Sequence, residues 1–131
     1  MGTWCPNCLD ESKYYSEYQK ENEDKDVELV ALAFEYAKTK ESAFKSIERL
    51  KDGVGINYPV LLAQYGTSDK DVVQQKLPML NRILSYPTTI FVDKTGNFSK
   101  IHSGLYGPAT GGKFVEFKNE FESFINKLFA A

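Results

Sequence analysis

Apolar and polar positions divide this chain into short elements whose periods switch between helix and strand. Residues 21–26, "ENEDKD", form a polar run that reads as a solvated surface loop. The next eight, "VELVALAF" at 27–34, are apolar almost throughout, which predicts a strand covered on both faces by helices. Ala43, Phe44, Ile47 and Leu50 recur at helical spacing and predict a helix over 41–51, with Gly53 as its stop. "NYPVLL" at 57–62 predicts a short strand, and Pro59, which has no N–H to donate, favours a sheet edge. A further helix is expected from Ser68 or Asp69, both good caps, with a break or kink at Pro78 and a short continuation to about Leu84.

The C-terminal third carries the clearest signals. "PTTIFVDKTGNFSKIHSG" at 87–104 holds two β-rich runs around "DKTGN", whose Asp, Gly and Asn suit a hairpin turn. Beyond the Gly-rich loop "GLYGPATGG" at 104–112, Phe114, Phe117, Phe121, Phe124, Ile125 and Leu128 step by threes and fours. That spacing predicts a closing amphipathic helix with an aromatic core stripe. At the other end a helix is expected from about Cys5 to Lys20, with Pro6 in its first turn, where a missing N–H costs nothing. Helices alternating with strands, then a hairpin and a last helix, predict an α/β sandwich with a mixed sheet.

Composition narrows the function classes. A length of 131 residues suits a single domain, 1–131, able to bury most of its apolar surface. The net charge of −2 leaves no basic excess for a phosphate backbone, so nucleic acid is a poor partner. No apolar run approaches the ~20 residues needed to cross a bilayer. The two cysteines are Cys5 and Cys8, in "WCPNC". A bridge between them would close a very small loop and remove little entropy from the unfolded chain, so the pair is better placed for chemistry than for stability.

Three chemistries compete for the pair. As a redox dithiol, Cys5 would sit at the first helix's N-terminus, where free amide N–H groups and the helix dipole favour a thiolate. Cys8, one turn deeper on the same face, would be shielded from a large substrate and placed to resolve a mixed disulfide. A structural zinc site needs four ligands, and His102 is the only other soft candidate. An inert bridge or a pair of buried thiols is the third. Glu11 extends the Cys5 and Cys8 stripe by three residues; it reads either as a proton acceptor for Cys8 or as a surface glutamate favoured by the dipole. In "SYPTT" at 85–89, Pro87 reads as a rigid strand entry or, if Tyr86–Pro87 were cis, as a turn offering the Tyr86 backbone to a passing peptide.

Together "WCPNC", Glu11, "NYPVLL" and "YPTTIFVDKTGN" resemble the thioredoxin superfamily and, more narrowly, its TlpA/ResA-like extracytoplasmic thiol–disulfide oxidoreductases, over residues 2–129. The resemblance implies a thioredoxin-like three-layer sandwich. It also implies that Cys5 is the nucleophile, Cys8 the resolving partner and Glu11 the active-site carboxylate. Trp4, Pro6, Tyr86 and a cis Pro87 would face the substrate. It further implies a disulfide-bearing protein substrate, a partner thiol reductase, no metal or other cofactor beyond the Cys5–Cys8 couple, and a place in the periplasm or cell envelope. Lys13 stands where the group often has a proline, so the first helix is expected to lack a kink. A thioredoxin-fold thiol peroxidase is the enzymatic alternative, although the PxxxTxxC setting of its reactive cysteine is absent; a non-catalytic binding module is the other.

One feature of the resemblance is incomplete. The strand leading into CxxC lies centrally in that fold, and Met1, Gly2 and Thr3 are too few to form one of ~5–6 residues. The chain is therefore expected to be an N-terminally truncated fragment. Three outcomes follow for it: it closes the neighbouring strands on each other, it borrows backbone from another copy in a strand-exchanged oligomer, or it is only marginally stable.

Overall fold

The computed structural model describes residues 1–67, 72, 75–77, 86–105 and 107–130. Its elements are α1 (Pro6–Glu21), β1 (Ala31–Phe34), α2 (Lys40–Val54), β2 (Val60–Gln64), β3 (Thr88–Val92), β4 (Phe98–Ser103), a 3-10 turn (Pro108–Thr110) and α3 (Gly112–Ala130). Most of the expected helix around Pro78 lies outside the described residues.

Local chemistry explains the helix ends. Thr39 caps α2 by accepting the Ser42 N–H at 3.1 Å. Its other end falls at Gly55, not at the expected Gly53: Gly55 adopts φ 80 and donates its N–H to the Lys51 carbonyl, a left-handed cap that glycine reaches without steric cost. α1 runs unbroken for 16 residues and α3 for 19, matching the helical spacing of their apolar stripes.

Among the described residues the strands form two separate two-stranded sheets. β1 and β2 are parallel, with Ala31 opposite Val60; β3 and β4 are antiparallel, with Thr88 opposite Ser103 and a bulge between Phe91 and Val92. The 27–34 strand is therefore shorter than expected. Its ladder begins only where Ala31 donates to the Pro59 carbonyl, and Val27 instead turns back to Lys25. Nor is it covered on both faces: Val30 is 56% and Leu32 37% exposed. β1 and β3 do not close on each other. A cleft of about 240 Å³ separates them, lined by Leu32, Thr88 and Ile90 at its edges and by Glu11 and Tyr15 of α1. Met1 sits at its end, accepting the Phe34 N–H at 2.8 Å.

The helical layer supplies the core. Tyr14, Tyr15 and Tyr18 on α1 meet Phe117, Phe121 and Ile125 on α3 beneath Phe91 of β3. Phe121 is the hub: its ring lies 4.9 Å from Tyr15, 5.1 Å from Tyr18 and 5.7 Å from both Tyr14 and Phe91. Burying one such side chain contributes roughly 1.5–3 kcal/mol, so this cluster fixes α1, and with it the cysteines, against the hairpin sheet.

Candidate active site

Cys5 is the N-cap residue of α1. Its backbone is extended, at φ −102 and ψ 112, and its sulfur accepts the Cys8 backbone N–H at 3.2 Å. A thiol thus occupies the position where a serine or aspartate oxygen would normally satisfy a free amide of the first turn. Pro6 follows at the first helical position, outside on the exposed side of the turn. Cys8 is nearly inaccessible, at 1% exposure, while Cys5 retains 5%. Burial, and then the neighbouring Cys5, pushes the Cys8 thiol far up from its ordinary range, so Cys8 holds its proton until a base removes it. Both thiols are free.

Glu11 is the next buried residue on that side of the helix. It lies one turn beyond Cys8 on α1 and is 6% exposed. Burial raises its carboxyl from 4.5 to about 7; the hydrogen bond from Thr89, and then the nearby amino terminus, oppose the rise. Its Oε1 accepts from the Thr89 hydroxyl at 3.2 Å, and Thr89 in turn pairs with the Tyr15 hydroxyl at 2.7 Å. Since Thr89 has one proton to give, Tyr15 is the donor in the second bond. The other oxygen, Oε2, is buried without a hydrogen-bond partner among the described residues, a position suited to a carboxyl that carries a proton part of the time. Glu11, Tyr15 and Thr89 all line the cleft between the sheets, which gives the carboxyl an opening to solvent.

The opposite wall comes from the entry to β3. The Tyr86–Pro87 peptide bond is cis, Pro87 is fully buried, and its carbonyl accepts the Gly104 N–H at 2.7 Å. The Tyr86 ring meets Trp4 edge-on at 5.1 Å. Burial raises the Tyr86 hydroxyl to about 12, with Tyr36 and Cys8 adding to the rise, so both lie within electrostatic reach of Tyr86. Trp4 and Tyr86, 82 residues apart in sequence, thus meet ring to ring, while Pro6 stands exposed at the start of α1 and Pro87 is buried at the entry to β3. His102 is on β4 with its ring against Phe117, and among the described residues no three metal-ligating side chains converge.

Sequence reasoning missed four contributors. Thr89 and Tyr15 read as strand and core residues; only the packing of α1 on β3 turns them towards Glu11. Tyr36 stacks on Trp4 at 4.2 Å with 14° between the rings, and Glu35 is a buried carboxylate bonded to Thr3. "FEY" after an apolar run gave no sign that its glutamate would point inward.

Residues 1–101 match the AhpC/TSA family. The chain is also 29% identical over 102 residues to the thioredoxin-like protein YneN of Bacillus subtilis (strain 168). That alignment covers 78% of this chain and 52% of YneN, so the chain spans about half the length of this curated relative. A dithiol capping the first helix, on a helix-and-sheet scaffold, agrees with both matches: the chain belongs to the AhpC/TSA family, whose fold is thioredoxin-like and which includes thiol peroxidases and thiol–disulfide oxidoreductases.

Proposed function

We propose that this protein exchanges disulfides with protein substrates in the reducing direction, Cys5 attacking and Cys8 resolving. The observation that carries the proposal is the Cys5 sulfur held over the first turn of α1 by the Cys8 N–H, with Cys8 and Glu11 buried in sequence below it. The Cys5 thiolate attacks one sulfur of a substrate disulfide, forming a mixed disulfide and releasing the other sulfur as a thiolate. Glu11, as carboxylate, takes the Cys8 proton, and the Cys8 thiolate attacks Cys5. The second substrate sulfur leaves and takes up a proton. Two electrons pass to the substrate and Cys5–Cys8 is left oxidised, so a partner thiol reductase must restore it. No further cofactor enters these steps. The motif resemblance to the TlpA/ResA-like group supports an extracytoplasmic setting.

The motif resemblance supports Trp4, Pro6, Tyr86 and the cis Pro87 turn as the residues that face the substrate. Insulin-disulfide reduction measured beside peroxide consumption tests the proposal. The expected result is insulin reduction, lost in Cys5→Ser, with Cys8→Ser trapping a mixed disulfide. Peroxide consumption without insulin reduction would move the protein to the peroxidase branch of its family, and inactivity in both with slow Cys5 alkylation would make it a binding module. Direction is read from equilibrium with glutathione: a potential near ~−270 mV fits a reductant, one near ~−120 mV an oxidant.

A further inference from the structure

Glu35 has no part in the exchange steps above, yet it is a carboxylate only 2% exposed, immediately beyond β1. A buried charge is costly unless its hydrogen bonds are made, and here they are made to one residue. Oε2 accepts the Thr3 backbone N–H at 2.8 Å, and Oε1 accepts the Thr3 hydroxyl. The Glu35 backbone is itself fixed, donating to the Gln64 carbonyl at the end of β2 at 2.8 Å. Its neighbours hold the next residue of the same segment. The Phe34 carbonyl accepts the Trp4 indole N–H at 2.9 Å, and Tyr36 stacks on that indole. Gly2 leaves room for the indole, since a Cβ there would collide with it.

Thr3 and Trp4 are the two residues directly before Cys5. Their anchors, 34 to 36, are the last residue of β1 and the two that follow it, and among the described residues the β1–β2 sheet is not hydrogen-bonded to the β3–β4 sheet that Pro87 leads into. We propose that Glu35 is a positioning residue for the dithiol: its carboxylate grips Thr3, registers Trp4 against Tyr36, and so sets the extended backbone of Cys5 that puts the sulfur over the Cys8 N–H. A reactive sulfur displaced by about 1 Å loses much of its advantage, so the grip acts on the chemistry without touching substrate. Only the redox part of this inference rests on the proposed function; the placement of Trp4 does not.

The test compares Glu35→Ala, Glu35→Gln and, as a control for lost stability, Ile47→Ala in the buried face of α2, all in the full chain. Two readouts are taken. The first is emission and iodide quenching of Trp4, the one tryptophan in the sequence. The second is the equilibrium constant of the Cys5–Cys8 couple with glutathione. Glu35→Ala is expected to red-shift Trp4, increase its quenching, and displace the glutathione constant about tenfold, equivalent to ~30 mV. Glu35→Gln keeps an acceptor for the Thr3 N–H and a donor to its hydroxyl oxygen, and should restore both readouts. Ile47→Ala should lower stability and move neither. Trp4 emission and glutathione constant unchanged in Glu35→Ala, or moved equally by Ile47→Ala, would overturn the proposal. If Glu35→Ala does not fold, Thr3→Val, which deletes only the hydroxyl contact, carries the same readouts with smaller shifts in the same direction. Should the wild type neither reduce insulin nor form a Cys5–Cys8 disulfide, the redox reading fails, while displacement of Trp4 still decides the role of Glu35.

Discussion

Replacing Glu11 with glutamine should abolish an unusual pH dependence of stability. A carboxyl that is more acidic in the folded state loses its contribution as pH falls; Glu11 is the opposite case. Burial raises it from 4.5 to about 7, so between those values the folded protein keeps a proton that the unfolded chain has released. Stability therefore falls as pH rises from about 4.5 to about 7 and is level on either side, as far as Glu11 governs it. Each pH unit of such displacement is worth about 1.4 kcal/mol, which makes the full effect about 3 kcal/mol. At 6% exposure little of this is screened by solvent. Glutamine keeps an oxygen for the Thr89 hydroxyl and cannot ionise. The two proteins should be nearly equal in stability at pH 4, and Glu11→Gln more stable by about 3 kcal/mol at pH 8. Urea melts of both from pH 4 to pH 8, compared as a difference, cancel the contributions of other groups such as His102 and Asp93. Parallel stability curves for the two proteins would refute the reasoning. The same substitution should slow attack by Cys8 by about 100-fold or more at pH 7, seen as accumulated mixed disulfide, because its proton then has no nearby acceptor.

Two further outcomes test the scaffold. Thr89→Val removes the donor to Glu11 Oε1 and the partner of the Tyr15 hydroxyl, so it should cost about 1–3 kcal/mol and carry the Glu11 midpoint above about 7. An unchanged pH profile in Thr89→Val would show that the hydroxyl does not hold the carboxylate. Phe121→Ala empties the hub of the aromatic core and should cost about 3–5 kcal/mol in a urea melt; a loss below about 1 kcal/mol would mean that the cluster does not join α1 to α3.

Much of the site could be read along the chain because its parts are local. Cys5, Cys8 and Glu11 are three residues apart, and helical periodicity alone puts them on one face; Pro6 and the cap position follow from the same turn. The Phe stripe from 114 to 128 fixes α3 in the same way, and "DKTGN" fixes the hairpin, where Gly96 takes φ 89. The 27–34 strand was overread because an apolar run reports hydrophobicity, not which backbone groups find a ladder; only Ala31–Phe34 have β2 beside them. Gly53 was the expected stop, and the left-handed turn at Gly55 placed the helix end two residues later.

By itself the sequence determined that a dithiol would stand at a helix start with a carboxylate one turn below Cys8, because spacing along a helix is set by backbone geometry that every residue shares. The tertiary structure alone decided what those groups would experience. The bond from Thr89 to Glu11 crosses 78 residues and that from Thr3 to Glu35 crosses 32. Such contacts, and the loss of water that lifts Glu11 to about 7, exist only once α1, β1 and β3 have packed. No pattern within one element encodes them, since they depend on which surfaces exclude solvent together.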